Sequence, residues 1–196
     1  MAIHLSKAPT GALVFAMLSL GSPKPAASLA ADAFVSLAVR VDNVAAVRAD
    51  DLQFAEDRAG GVFEKIGVRV RWMDGAALTS ELRSSLTMVV ANSDSKAGSA
   101  AVFVDALGLA HPGVRRAYVF YDRVVALNAQ SPRPIPTILG DVIAHELGHL
   151  VLPTGAHSRQ GIMRPALDMK QLSIVTFTKV EARSIVAALR ARSTAN

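Results

Sequence analysis

The sequence predicts an α/β domain in which helices pack as a layer against a single sheet. Two observations carry this expectation. Short apolar segments rich in β-branched residues recur along the chain, and they are interrupted by segments whose apolar residues repeat at helical spacing. Their order is strand, helix, four strands, helix, loop, helix, with no internal repeat and no linker. We therefore expect a single domain over residues 31–196.

The sequence of the first half of this domain predicts three strands and one helix. FVSLAVRV at 34–41 is apolar and β-branched, which favours a strand. Residues 49–67 carry apolar side chains at helical spacing, with acids in the first turn and Gly67 as the stop. VRVRWM at 68–73 alternates apolar and charged residues like a half-buried strand. LTMVVAN at 86–92 is continuously apolar and predicts a central strand.

The second half continues with two more strands. Residues 93–100 are small and polar, and indicate a loop. AVFVDALGLA at 101–110 and RAYVFYDRVVAL at 116–127 are apolar, and a turn at His111, Pro112 and Gly113 separates them. Both segments are expected to join the sheet.

Two helices close the domain. TILGDVIAHELGHLVL predicts a helix from about Thr137, placed as its N-cap, to Leu152, since Pro153 must stop it. Thr178 and Glu181 then form a capping-box pattern before the apolar positions of VEARSIVAALRAR.

The N-terminus has the layout of a secretory signal peptide. Lys7 precedes the apolar run GALVFAMLSL at 11–20, and a stretch of small residues follows it. The run is shorter than the roughly 20 residues that span a bilayer. We therefore expect residues 1–30 to be removed, with cleavage after Ala30 or Ala31, and no stable membrane insertion afterwards.

Export predicts a secreted or periplasmic protein. The chain has no cysteine, so its stability must come from the core, with help from any bound metal. The net charge is +5, but no basic cluster is interleaved with aromatic residues, and nucleic-acid binding is not expected.

Three of the five histidines fall within HELGHLVLPTGAHSRQGIM, residues 145–163. On a helix, His145 and His149 share a face one turn apart and can bind one ion. Glu146 lies beside them and can reach a water on that ion, which is the HExxH arrangement of zinc metallopeptidases. His157 follows a helix-breaking proline and a glycine. Three imidazoles leave one tetrahedral position open, which is typical of a single catalytic Zn²⁺ with Glu146 as general base.

HELGHLVLPTGAH, followed by GIMRP, resembles the metzincin clan of zinc peptidases and is nearest to its matrixin type. The resemblance implies His145, His149 and His157 as ligands, Glu146 as general base and Met163 as the Met-turn methionine. The implied activity is hydrolysis of peptide bonds in a peptide or protein substrate.

The resemblance also implies a metzincin-like (zincin) fold, with a mixed twisted sheet, an antiparallel edge strand packed on the active-site helix, and a C-terminal helix. ALGLAHPG at 106–113 resembles that edge strand. Leu107, Gly108, Leu109 and Ala110 are therefore the candidates for binding substrate main chain by strand addition. The alternative is that they only pair within the sheet.

The chain departs from the metzincin spacing in one respect. That spacing, HExxHxxGxxH, has five residues between the second and third histidines, whereas this chain has seven between His149 and His157. Gluzincin peptidases share HExxH and take a glutamate from a later helix, which makes Glu181 the rival third ligand. Asp141, one turn before His145, is either a partner that orients that imidazole or an acid that stabilises the helix dipole.

Two other functions fit the same residues. A degenerate zincin fold would bind zinc without catalysis, and a zinc hydrolase acting on another substrate class would use the same ligands. Glu146 favours catalysis over pure binding, because a structural site has no use for a base.

Overall fold

The computed structural model describes residues 34–73, 85–94, 105–166 and 175–194. The expected signal peptide and its cleavage site after Ala30 or Ala31 lie outside the described residues. Most of the predicted loop at 93–100 and the first residues of the 101–110 segment lie outside them as well.

The described strands form one five-stranded mixed sheet in the order β2-β1-β3-β5-β4. β1, β2, β3 and β5 run parallel, and β4 is an antiparallel edge strand paired with β5. The expected α/β fold with an antiparallel edge is therefore confirmed. The strands are β1 (Val35–Asn43), β2 (Val68–Met73), β3 (Leu86–Ala91), β4 (Gly108–His111) and β5 (Arg116–Phe120).

Four helices and one 3₁₀ turn (Pro112–Val114) accompany the described part of the sheet. α1 and α3 pack side by side, α3 lies against β4 and β5, and α4 contacts β1 and α3. No helix among the described residues combines the length and the apolar character needed to cross a membrane. The helices are α1 (Ala49–Glu64), α2 (Tyr121–Asn128), α3 (Ile135–Val151) and α4 (Lys179–Thr194).

Helix α3 is the centre of the domain, since 14 of its 17 residues are buried. Its sequence is apolar nearly all round, which is what a helix enclosed on all sides requires. The few polar side chains that it carries are therefore held in low-dielectric surroundings. They must be neutral, paired or bound to an ion to be tolerated there.

The predicted strand at 116–127 is correct only in its first half. β5 ends at Phe120 and residues 121–128 form α2. Tyr121, Val124 and Leu127 face the core at helical spacing. Asp122 in the first turn accepts a hydrogen bond from the Ser93 main-chain N–H at 2.9 Å. The apolar β-branched residues of this segment favour a strand. Its core-facing residues, however, recur every three positions, and this spacing correctly indicates a helix.

The N-cap predicted at Thr137 is wrong. α3 begins at Ile135, and Pro134 is the cap, with its carbonyl accepting the N–H groups of Thr137 at 3.0 Å and Ile138 at 3.2 Å. Pro136 lies in the first turn, where its missing N–H has no helical partner to lose.

The other predicted helix boundaries are confirmed. α3 ends at Val151, before Pro153. Gly67 has φ of +78° just after α1, a left-handed conformation that favours glycine. The capping box is formed in both directions. The Thr178 N–H donates to the Glu181 carboxylate at 2.7 Å, and the Glu181 N–H donates to the Thr178 hydroxyl at 3.3 Å.

Candidate metal centre and active site

The structure brings the three predicted histidines together. His145 and His149 project from adjacent turns of α3, and His157 comes from the segment that follows the helix. One nitrogen from each ring lies within 4.8 Å of the other two. The ring centroids are 4.7 to 5.2 Å apart. Such a cluster has the size of a three-imidazole metal site.

Main-chain carbonyls orient two of these imidazoles. His145 Nδ1 lies 2.8 Å from the carbonyl oxygen of Ile162, and His149 Nδ1 lies 2.8 Å from that of Gly155. A carbonyl can only accept, so each Nδ1 carries the proton and donates it. Each Nε2 therefore presents a lone pair, which is the arrangement that outer hydrogen bonds impose on metal-binding histidines.

The Nε2 atoms of His145 and His149 face each other at 3.0 Å. With both Nδ1 atoms protonated, no hydrogen lies between these two lone pairs, and their contact is repulsive on its own. A cation placed between the rings turns this repulsion into coordination. The donor set therefore fits a metal ion that prefers nitrogen ligands, as Zn²⁺ does.

Burial keeps the imidazoles in the form that binds metal. Desolvation is the main reason that the pKa of His145 falls from 6.5 to about 4. Burial also lowers the pKa of His149. Because metal ions bind only neutral imidazole, these rings are ready to bind at neutral pH without first losing a proton.

The segment after α3 accommodates the longer spacing. Gly155 adopts φ of +56°, so the chain can reverse direction just before His157. The Ser158 N–H then donates to the Met163 carbonyl at 2.9 Å, and the Ile162 N–H donates to the Thr176 carbonyl at 3.0 Å. These bonds fix a compact loop that brings His157 beside His145 and His149, although seven residues separate it from His149.

Glu146 lies in the same cleft but outside the histidine cluster. Its side chain is almost fully buried, and burial raises its pKa from 4.5 to about 8. It packs against the edge strand: a Cβ atom at position 108 would lie 2.6 Å from its Cγ and Oε1 atoms. The carboxylate of Glu146 therefore lies close to the main chain of β4 at Gly108.

Met163 is fully buried against α3. Its sulfur occupies the space that a side chain on Gly148 would need, and Phe177 borders the same space. The close neighbours of Gly148 are therefore the side chains of Met163 and Phe177.

Asp141 has neither of its two expected roles. It lies in the second turn of α3, and it forms ion pairs with Arg58 at 2.7 Å and with Arg133. The Nδ1 of His145 is bonded to Ile162 instead. Sequence reasoning missed Arg58 because it lies 83 residues away on α1, and missed Arg133 because no helical spacing relates it to Asp141.

Glu181 lies outside the group of nitrogen ligands. Its carboxylate accepts the Thr178 N–H as part of the helix cap, and the group of side chains able to hold one metal ion consists of the three histidines among the described residues.

A cleft of about 860 Å³ opens over the histidines and the edge strand. Arg164 borders it, whereas Arg159, the other arginine near the motif, does not. Sequence reasoning missed the contributions of Leu127 and Val142, although Val142 lies one helical turn before Glu146 on the same face. The apolar side chains that line the cleft include Leu109, Pro112, Leu127, Val142 and Pro165.

β4 is an edge strand of the described sheet, and some of its main-chain groups face away from its one partner among these strands, β5. The Phe120 N–H donates to the Leu107 carbonyl at 2.8 Å, and Leu109 lies opposite Tyr118. Because hydrogen-bonding pairs alternate in antiparallel strands, Leu107 and Leu109 bond to β5. The main-chain groups of Gly108 and Ala110 face away from β5.

Comparison with protein-family models gives no match, and no curated protein matches the sequence. Among solved structures, the fold is similar to that of a zinc-dependent peptidase from Methanocorpusculum labreanum (strain Z). The match has a TM-score of 0.51 and 12% sequence identity, and it covers 75% of this chain and 99% of that chain. At this identity the likeness shows that the two proteins share an α/β fold.

Proposed function

We propose that this protein is a zinc-dependent metallopeptidase. His145, His149 and His157 would hold one Zn²⁺, and Glu146 would act as general base. The observation that carries the proposal is the facing pair of Nε2 atoms, 3.0 Å apart, on imidazoles whose Nδ1 atoms are tied to carbonyls. The fold shared with a zinc-dependent peptidase supports it.

A bound Zn²⁺ would supply Lewis acidity, polarising a scissile carbonyl and lowering the pKa of water. The Glu146 carboxylate would accept the proton of the attacking water and then deliver it to the leaving amine. Burial raises the pKa of this carboxyl, which makes its ionised form a stronger base toward the water proton than an exposed carboxylate would be. The carbonyls of Ile162 and Gly155 would hold the two helix imidazoles in their ligating orientation.

The substrate would bind as an added strand along β4. The outward main-chain groups of Gly108 and Ala110 would bond its backbone, while Leu107 and Leu109 would border the cleft. Such binding recognises an extended peptide largely regardless of its side chains. It therefore supports a peptide or protein substrate over a small ester or amide.

We assign the protein to the metzincin type, nearest to matrixins, as part of the same proposal. The motif, the burial of Met163 under Gly148 and the antiparallel edge strand support this assignment. The seven-residue spacing before His157 departs from it. The signal-like residues 1–30 support export to the periplasm or the medium, with residues 31–196 as the working domain.

The proposal is tested by measuring zinc content and peptide cleavage on the same samples. Purified protein should hold about one zinc per chain and cleave members of a peptide library, with loss of cleavage after chelation. Glu146→Ala should keep the zinc and lose cleavage by several orders of magnitude. A wild-type protein that holds zinc but cleaves no peptide would favour the non-catalytic alternative.

A further inference from the structure

The carboxylate of Glu146 lies against the main chain of the edge strand at Gly108. A Cβ atom at this position would lie 2.6 Å from Cγ and Oε1 of Glu146 and 2.7 Å from its Cδ. These separations are well inside van der Waals contact, so either the carboxylate or the strand would have to move.

Backbone conformation does not explain the glycine. Gly108 lies in β4, and its φ is outside the left-handed region that favours glycine. Any residue can adopt an extended strand, and β-branched residues do so more readily than glycine. The requirement at position 108 is therefore one of space, and the atoms that need the space belong to Glu146.

The carboxylate of Glu146 is buried, and it packs against the main chain of β4 at Gly108. α3 fixes the position of its Cα, and β4 forms the opposing wall. That wall is firm, since Leu107 accepts a hydrogen bond from Phe120 and Gly108 lies in register with Val119.

We propose that Gly108 is a positioning residue for Glu146. Its missing side chain forms the niche that places the carboxylate beside the histidine cluster. The inference rests on the proposed role of Glu146 as the base. A methyl group in the niche would displace the carboxylate without touching the three histidines. Chemistry would suffer while metal binding persists, and peptide docking would persist because alanine keeps the main-chain groups that Gly108 offers to the substrate.

The kinetic test compares Gly108→Ala with Gly113→Ala. Gly113 lies in the turn just after β4, and an added Cβ there meets no atom within 4 Å. Gly108→Ala should keep about one zinc and a KM within about threefold of wild type, but its kcat should fall at least tenfold. Gly113→Ala should match wild type in all three. A Gly108→Ala enzyme with wild-type kcat would overturn the proposal.

A thermal-stability cycle tests the same contact without relying on activity. Glu146→Ala removes Cγ, Cδ and Oε1, the atoms that the new methyl group would meet. Gly108→Ala should therefore lower the Tm of the zinc-loaded wild type but leave the Tm of zinc-loaded Glu146→Ala within about 1 °C. An equal loss of Tm in both backgrounds would overturn the proposal.

The cycle also separates this inference from the proposed function. If the single variant does not fold while the double variant does, the contact with Glu146 is confirmed. If the Tm coupling is present but wild type cleaves no peptide, the packing of Glu146 against Gly108 is confirmed and the assignment as a peptidase is wrong.

Discussion

The sulfur of Met163 lies against the Cα of Gly148, in the space that a side chain at position 148 would fill. This contact joins the loop that carries His157 to the part of α3 that carries His145 and His149. The residue before Met163 supplies the carbonyl that orients His145. A shift of Met163 away from Gly148 would therefore also move the carbonyl that orients the His145 imidazole.

Replacing Gly148 with alanine should lower both stability and zinc affinity. Alanine improves helix propensity by roughly 1 kcal/mol, but overpacking in a filled core costs about 1–3 kcal/mol. We expect a lower Tm, together with weaker zinc binding because the Ile162 carbonyl is pushed from His145. Thermal unfolding and competitive zinc titration measure the two effects.

Gly60→Ala is the matched control for this experiment. Gly60 also lies inside a helix, but the nearest atom to an added Cβ is 3.8 Å away. It should raise stability by roughly 0.5–1 kcal/mol and leave zinc binding unchanged. A Gly148→Ala protein that is stabilised like Gly60→Ala would show that the Met163 contact is loose.

His157→Ala should weaken zinc binding by several orders of magnitude, since it removes one of three imidazoles. Glu181→Gln tests the rival ligand. It removes the charge but keeps an oxygen that can accept the Thr178 N–H, so it should bind zinc like wild type. Metal titration on both variants measures the difference. The opposite ranking, with zinc lost in Glu181→Gln and kept in His157→Ala, would identify Glu181 as the ligand.

Stability of the metal-free protein should depend on pH through Glu146. Its folded pKa is raised to about 8 from 4.5, so the folded state binds this proton more tightly than the unfolded state does. The stability linked to this proton is complete below about pH 4.5 and is lost as the pH rises through 8. The side chain of Glu146→Gln does not titrate. The free energy of unfolding of this variant should therefore rise relative to that of wild type as the pH increases from 4.5 to 8.

Urea unfolding in the presence of a chelator at pH 5 and pH 8.5 measures this difference. His145 and His149 titrate in both proteins, so their contributions cancel in the comparison. Parallel stability profiles for wild type and Glu146→Gln would mean that the carboxyl is solvated in the metal-free protein.

Asp141→Asn should destabilise the fold by about 3–5 kcal/mol, because it removes the negative partner of two arginines that are mostly buried. Asp50→Asn, at the exposed start of α1, should change stability by less than about 0.5 kcal/mol. Chemical denaturation compares the two. Folded Asp141→Asn should still bind zinc, since Asp141 does not contact His145; a selective loss of zinc affinity at unchanged stability would contradict this placement.

The parts of the site that a helix places locally were predictable from the sequence. His145, Glu146 and His149 follow from helical spacing, and the capping box of Thr178 and Glu181 follows from a local pattern. The rest depends on contacts between distant segments. Main-chain carbonyls such as that of Ile162 have no sequence signature, and the approach of Gly108 to Glu146 joins residues 38 positions apart.

Two wrong expectations have a related cause. Asp141 was expected either to orient His145 or to stabilise the helix dipole, but one of its partners, Arg58, lies on another helix. Residues 121–127 were expected to be part of a strand because β-branched residues favour strands on average, but packing against α3 selected the helix. Tertiary contacts decided both outcomes.

The last prediction concerns docking along β4. The N–H of Ala110 faces away from β5, so Ala110→Pro would remove a donor that the sheet does not use. Proline is tolerated on an edge strand when its nitrogen faces outward. If substrate adds to this edge, kcat/KM should fall about tenfold for extended peptides, mainly through KM, because one main-chain hydrogen bond is lost. Zinc content and Tm should stay close to wild type.

Leu109→Pro is the contrasting variant, since the N–H of Leu109 is directed at Tyr118 within the sheet. It should lower Tm by removing a ladder hydrogen bond, and any loss of activity should follow that loss of folded protein. Steady-state kinetics with peptides of increasing length, alongside Tm and zinc content, separate the two effects. An Ala110→Pro enzyme that folds, holds zinc and cleaves long peptides with the wild-type KM would show that substrate does not pair with β4.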